Sequence, residues 1–171
     1  YDQAELWFKS CLSVSQSRLG EENLYVASTL NNLADLYNKQ GKYEQAEPLS
    51  KKAFSLMRKL LGEDHPDIAT SPCNRAAIHN RQGQYEQAEP LLYQALQLAQ
   101  KLLGEEHPNV ASILNELAGL YSRQNCYEQA EPLYREALRI RQKRLDKEHL
   151  DIASSLNDLG DLYSRQGRYV Q

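Results

Sequence analysis

Apolar residues recur along this chain with helical spacing, and the pattern restarts every 42 residues. In one copy Val26, Leu30, Leu33, Ala34 and Tyr37 fall on one face of a helix. The next segment, Tyr43–Leu61, places Ala46, Leu49, Ala53 and Leu56 together, with Glu44 and Glu47 in its first turn, where the helix dipole favours an anion. The first type of segment returns over Asp67–Arg81 and Asn109–Arg123. Tyr1, Tyr43, Tyr85, Tyr127 and Tyr169 keep the register without slippage, as do Ala4, Ala46, Ala88 and Ala130. His65-Pro66 and His107-Pro108 mark helix starts, since proline is tolerated in the first turn. Gly41, Gly83 and Gly167 mark stops, and Gly62 and Gly104 end the second type. Pro48, Pro90 and Pro132 lie near the N-terminal end of the second type, where a proline costs least.

Calling the two segments A and B, the chain reads as a lone B over 1–24, three A–B repeats over 25–66, 67–108 and 109–150, and a lone A over 151–171. That is eight helices joined by short loops. Breakers every twenty residues or so exclude one long coiled coil. A unit of this length cannot bury its apolar face alone, so the period predicts a single all-α solenoid of stacked hairpins. The chain starts and stops inside a repeat, as a fragment would.

One copy breaks the pattern. Pro72 replaces a core leucine, Arg75 another, His79 the core tyrosine, and Cys73 an asparagine found in the other three copies. Helix A there either continues through Pro72 with a kink, or starts late with Ser71 as N-cap and Pro72 as its first residue. Two readings of the departure stand side by side: a specialised pocket around Cys73, Arg75 and His79, or drift in an internal repeat held up by its neighbours.

Composition narrows the function. The 171 residues carry 20 Lys/Arg against 23 Asp/Glu, interspersed, for a net charge of −3, so the basic footprint of a nucleic-acid binder is missing. No apolar run has the roughly 18–20 residues of a membrane span. Three cysteines without C-x-x-C spacing suggest no disulfide framework, and a reducing cytoplasm is the expected compartment. Cys11 shares a column with Ala53, Ala95 and Ala137 and is expected to be small and buried; Cys126 shares a loop column with Lys42, Gln84 and Arg168 and is expected to be exposed. His65, His107 and His149 recur one repeat apart. Neighbouring helices pack about 8–10 Å apart, so equivalent histidines cannot share one ion at bonds of about 2 Å, and caps at the start of helix A are expected instead of a metal site. No nucleophile elbow, phosphate loop or converging acid pair is present, which points to a non-enzymatic protein without a cofactor.

The columns Leu30, Leu33, Ala34 and Tyr37, followed by Gly41, Tyr43, Ala46 and Ala53, resemble the tetratricopeptide repeat. The usual unit has about 34 residues; the longer unit here, "LNNLADLYNKQGKYEQAEPL" followed by "LLGEDHPDIA", resembles the repeats of kinesin light chains and similar bacterial proteins. The resemblance covers essentially the whole chain. It implies a right-handed superhelix with helix A on the concave wall and a groove that binds peptides. On that wall it would place Ser28, Asn31, Asn32, Asp35, Asn38 and Lys39 in the first copy, Asn74 and Arg81 in the second, Ser112, Asn115, Glu116, Gly119, Ser122 and Arg123 in the third, and Ser154, Asn157, Asp158, Asp161, Ser164 and Arg165 in the fourth. Asn31, Asn115 and Asn157 would form a ladder, because an amide offers both donor and acceptor to a peptide backbone. Lys39, Arg81, Arg123 and Arg165 would form a cationic row suited to acidic peptides, although a cation at a helix C-terminus is also favoured by the dipole alone.

At the two ends, Leu6, Trp7 and Val14 in the lone B, and Leu156, Leu159, Leu162 and Tyr163 in the lone A, are expected to lack part of their cover. Tyr1 and Tyr169 share a column, so end-to-end self-association is expected to complete a repeat between copies. The leading expectation is a scaffold that binds a protein or peptide segment. The alternative is a structural spacer or self-assembly module with no specific groove ligand.

Overall fold

The computed structural model describes residues 2–63, 65, 68, 70–146 and 148–167. Among these it contains eight α-helices: α1 (Asp2–Leu19), α2 (Leu24–Lys39), α3 (Tyr43–Leu61), α4 (Thr70–Arg81), α5 (Tyr85–Leu103), α6 (Pro108–Arg123), α7 (Tyr127–Arg144) and α8 (Leu150–Arg165). The A segments are α2, α4, α6 and α8; the B segments are α1, α3, α5 and α7. The capping roles expected of two histidines are realised: His107 and His149 are N-caps whose Nδ1 accepts the backbone N–H of Asn109 at 3.1 Å and of Asp151 at 3.2 Å. Asn23 plays this part for α2. After α2, Gly41 takes φ 75°, and the N–H of Lys42 turns back to the carbonyl of Tyr37 at 2.9 Å. In the third copy Asn125 holds the same left-handed position at φ 61°, and Cys126 bonds Tyr121 in the same way.

In the irregular copy the residues that would separate the two courses fall at the edge of the described set. Its described α-helix runs from Thr70, and Pro66, Asp67 and Ala69, over which the two courses differ, lie outside the described residues; within this stretch the Ile68 N–H donates to the His65 carbonyl at 3.1 Å, as Val110 does to His107. Ile68 nevertheless keeps its place in the core. Pro72 lies within α4 and is fully buried. The side chain of Ser71, a candidate cap, lies outside the described set.

By packing, the chain divides into two compact units, Tyr1–Leu98 and Ala99–Gln171. In the first, α2 packs on α1 and α3, and α4 packs on α2 and α3. Leu33, Leu36, Tyr37, Ala46 and Ile78 form one cluster, with Phe8 and Leu49 against it; Val26, Leu30 and Ala53 form another. The alanine columns have a steric reason, since Ala27, Ala46 and Ala53 are completely buried where helices come close. In the second unit α7 packs on α6 and α8, and α6 also meets α8. Leu117, Ala118, Leu120, Ala130, Ala137 and Leu162 there are fully enclosed.

Four expectations need correction. Leu159 and Leu162 are buried, because α7 and α6 already cover them; only Leu156 in that group of leucines stands out, at 53% exposed. Leu6, Trp7 and Val14 are exposed as expected, Trp7 at 72%. Cys11 is exposed rather than buried, its sulfur 3.6 Å from Thr29 Oγ1. Ala53 in the same column is closed in by Val26 and Leu30 of α2, and among the described residues no helix lies over Cys11 in that way. Cys126 is half-buried rather than exposed. Asn38 and Ser122, placed on the open wall by the resemblance, are buried instead. Tyr1 and Tyr169 lie outside the described residues.

One kind of polar tie between an A helix and the B helix before it recurs along the chain. The Tyr37 hydroxyl of α2 donates to Glu5 of α1 at 3.0 Å, and the Tyr163 hydroxyl of α8 donates to Glu131 of α7 at 3.0 Å. Glu5 and Glu131 share a column, and so do Tyr37 and Tyr163. Glu5 also accepts from Lys9 at 2.7 Å and from Lys42 at 3.3 Å. The Lys9 bond first, then the Tyr37 bond, holds its carboxyl down at about 2, from an ordinary 4.5. A depressed carboxylate stabilises the fold above its unfolded value and stops doing so as pH falls through its folded one. Glu5 should therefore support the fold fully above about pH 4.5 and lose that support towards pH 2. Glu5→Gln is expected to flatten this acid limb in chemical-denaturation curves recorded from pH 6 to pH 2; an unchanged limb would refute the tie.

Candidate functional site

The polar residues of the A helices are not equally available. In the first unit Ser28 and Asn32 are exposed, but Asn31 is half-buried and accepts from Asn74 Nδ2 at 2.9 Å. Asp35 pairs with Lys39 at 2.7 Å. Arg81 lies over the end of α2 and donates to the carbonyl of Asn38 at 3.2 Å, a use of the cation close to the dipole effect. In the second unit Asn115 repeats the rung, donating from Nδ2 to Asp158 at 2.9 Å, while its Oδ1 is buried without a partner. The expected ladder is thus partly turned inward: Asn31 and Asn115 join successive A helices, Cys73 interrupts the row between them, and Asn157 remains exposed.

The cations of the second unit differ from those of the first. Arg123 and Arg165 are exposed, and among the described residues neither guanidinium has a hydrogen bond or ion pair. They stand with Asp158 and Asp161 around a depression of about 140 Å³ between α6 and α8. Its floor holds Gly119 and Tyr134, the latter from α7 and only 6% exposed. A Cβ at Gly119 would lie 3.4 Å from the Tyr134 hydroxyl and 3.9 Å from Arg123 Nη1. Burial first, then the nearby Asp158, pushes the Tyr134 phenol up to about 12, so it is a neutral donor at any ordinary pH.

Tyr134 was not singled out by the sequence reading, yet a signal existed. Its column holds Phe8, Ser50 and Leu92 in the other copies, and the column of Gly119 holds Asp35, Ala77 and Asp161. The largest residue of one column coincides with the smallest of the other. In the irregular copy Arg75 is half-buried with its Nε unpartnered, and His79 is buried with Nδ1 2.7 Å from Gln84 Oε1. Neither arrangement gathers ligands for an ion, and no group of three or more His, Cys, Asp or Glu among the described residues could hold a metal. No helix among them is long and apolar enough to cross a membrane.

Helical hairpins repeating every 42 residues, joined A to B and tied by tyrosine and glutamate, define an α-solenoid built of tetratricopeptide units. The tetratricopeptide repeat pattern matches residues 26–67, 67–143 and 110–171, and the chain belongs to that family. Among solved structures it is similar to BtubC (BKLC) from P. vanneervenii, with 26% identity and a TM-score of 0.83 over 98% of this chain and 67% of that one. It is also similar in fold to a kinesin light chain-like protein of Podosopora anserina with nearly identical TPR-like repeats, with 24% identity and a TM-score of 0.75 over 98% of this chain and 79% of that one. A single-residue variant of the latter gives a TM-score of 0.77. These neighbours are kinesin-light-chain-like repeat proteins. No curated protein sequence matches the chain. Tetratricopeptide folds typically serve as non-enzymatic scaffolds for protein–protein interaction.

Proposed function

We propose that the chain is a kinesin-light-chain-like scaffold that holds an acidic peptide segment against its A helices. The candidate contacts in the first unit are Ser28, Asn31, Asn32, Asp35, Lys39, Asn74 and Arg81, and in the second Asn115, Arg123, Asn157 and Arg165. The observation that carries this reading is the pair Arg123 and Arg165, exposed and unpaired on one face while Lys39 and Arg81 are engaged with neighbours. A guanidinium with free N–H groups takes a carboxylate in a bidentate, charge-assisted pair. The three free cysteines fit a reducing, cytoplasmic setting.

A second reading, a spacer that self-associates end to end, has its own support in the exposure of Trp7 on α1 and Leu156 on α8. In the α2–α3 hairpin the leucine equivalent to Leu156 is Leu30, which is covered by its B helix. One experiment separates the two readings. Fluorescent dodecapeptides bearing four glutamates in a Gly/Ser background are titrated into the protein, and the same samples are sedimented. Arg123→Glu with Arg165→Glu should weaken peptide capture at least about tenfold, as loss of two charge-assisted contacts implies, and leave the sedimentation unchanged. Equal capture by the wild-type and reversed proteins would overturn the scaffold reading in favour of the spacer.

A further inference from the structure

The depression floored by Tyr134 has the attributes of a built site rather than of a gap between helices. Tyr134 is more than nine-tenths buried, yet among the described residues its hydroxyl has no hydrogen-bond partner. The hydroxyl oxygen itself opens on the depression, where, with no protein partner, it is met by water or by a ligand atom. The hydroxyl faces the depression because position 119 has no side chain to cover it. In the first repeat the two positions are Asp35 and Ser50, and in the second Ala77 and Leu92, so neither of those pairs sets a phenol beneath an open position.

We infer that the pocket formed by Gly119, Arg123, Tyr134, Asp158, Asp161 and Arg165 seats one carboxylate side chain of the bound segment, with the Tyr134 hydroxyl donating to one oxygen and a guanidinium to the other. The inference rests on the peptide-binding reading and assigns its specificity to a single point. The unpaired groups of the pocket are mainly donors: one phenol and two guanidiniums. Of the two carboxylates, Asp158 is already held by the Asn115 amide. A cationic side chain would meet Arg123 and Arg165 at the rim and a hydroxyl that cannot ionise below about pH 12 at the floor. The volume, about 140 Å³, holds a glutamate side chain and a bridging water of about 30 Å³. Asp158 and Asp161 offset the two guanidiniums, so the pocket suits a monoanion and resists a phosphate dianion.

The test uses small probes on the whole chain. N-acetyl-glutamate methylamide, its glutamine counterpart and N-acetyl-phosphoserine methylamide are titrated in turn, and backbone and arginine Nε shifts are followed by NMR. The glutamate probe should move Gly119, Arg123 and Arg165 saturably, with the glutamine and phosphoserine probes at least about tenfold weaker, since an uncharged acceptor forgoes the charge-assisted bond and a dianion meets both aspartates. Tyr134→Phe should weaken the glutamate probe by about three- to tenfold, the loss of one hydrogen bond. Gly119→Met should abolish the shifts by filling the pocket, and its Cβ enters ordinary contact distance, so the fold survives, as circular dichroism will verify. Absence of shifts with the glutamate probe, equal binding of either other probe, or indifference to both substitutions overturns the inference. Should the glutamate-bearing dodecapeptides still bind in an arginine-dependent manner while Tyr134→Phe and Gly119→Met leave them unaffected, the pocket falls and the scaffold reading stands.

Discussion

Leu117→Ala is expected to lower the stability of the second unit by about 2–5 kcal/mol, the range for truncating a core leucine whose surroundings relax only in part. Leu117 has no exposure at all, is followed by completely buried neighbours at Ala118 and Leu120, and sits in the middle of α6, where the backbone has least freedom to close a void. In a chain of this size about 1 kcal/mol corresponds to roughly 2–4 °C in Tm, so the melting curve should move down by about 4–20 °C. Repeat arrays hold together through nearest neighbours, so the loss should be felt first in α6, α7 and α8. Hydrogen exchange resolved by residue reads this directly. Protection lost uniformly along the whole chain would contradict it, and so would a shift in Tm of less than about 1 °C.

Arg75→Leu is expected to act in the opposite direction. Arg75 occupies the column of Leu33 and Leu117, both buried. The arginine is only half-buried, and its Nε is enclosed without an acceptor. An orphaned buried donor costs about 1–3 kcal/mol, and the leucine adds apolar burial in a site its siblings show to fit. A gain of about 1–3 kcal/mol should follow, read as a higher midpoint in urea with an unchanged slope. Pro72→Leu should add less than the column alone suggests. The proline is already fully buried, so a leucine there gains little apolar burial. A fall in stability on Arg75→Leu would show that the arginine is held by something its neighbours need, and would revive the pocket around Cys73, Arg75 and His79.

The two substitutions also mark how far the sequence could be read. Helix type, order and most boundaries followed from a period that repeats without slippage, because each column reports the same environment several times over. Leu30, Leu33, Ala34 and Tyr37 are buried as their spacing demanded, and His107 and His149 cap the helices they precede. Columns fail where an environment is not repeated. Cys11 is exposed though Ala53 is not, because Val26 and Leu30 cover Ala53 and no described helix does the same for Cys11. Arg141, in the column of Met57 and Ala99, is buried and donates to Ser155 Oγ at 2.6 Å and the Asp151 carbonyl at 3.1 Å. Nothing in its column announced a buried cation. The candidate site was legible as a list of polar residues on helix A. Which of them are spoken for, and which are spare, depends on bonds between residues 43 apart and on a tyrosine from helix B.

The link from Asn74 to Asn31 has a bearing on how recognition would feel at that position. A newcomer reaching for the Asn31 amide finds it occupied, so docking there is a swap of one partner for another rather than a fresh attachment. Swaps of this kind yield little net affinity, but they relax the grip between α2 and α4 at the instant of capture. Tightness of hold and spacing of the coils would then vary together in the first unit, and severing the tie beforehand, by Asn74→Ala, trades rigidity for readiness.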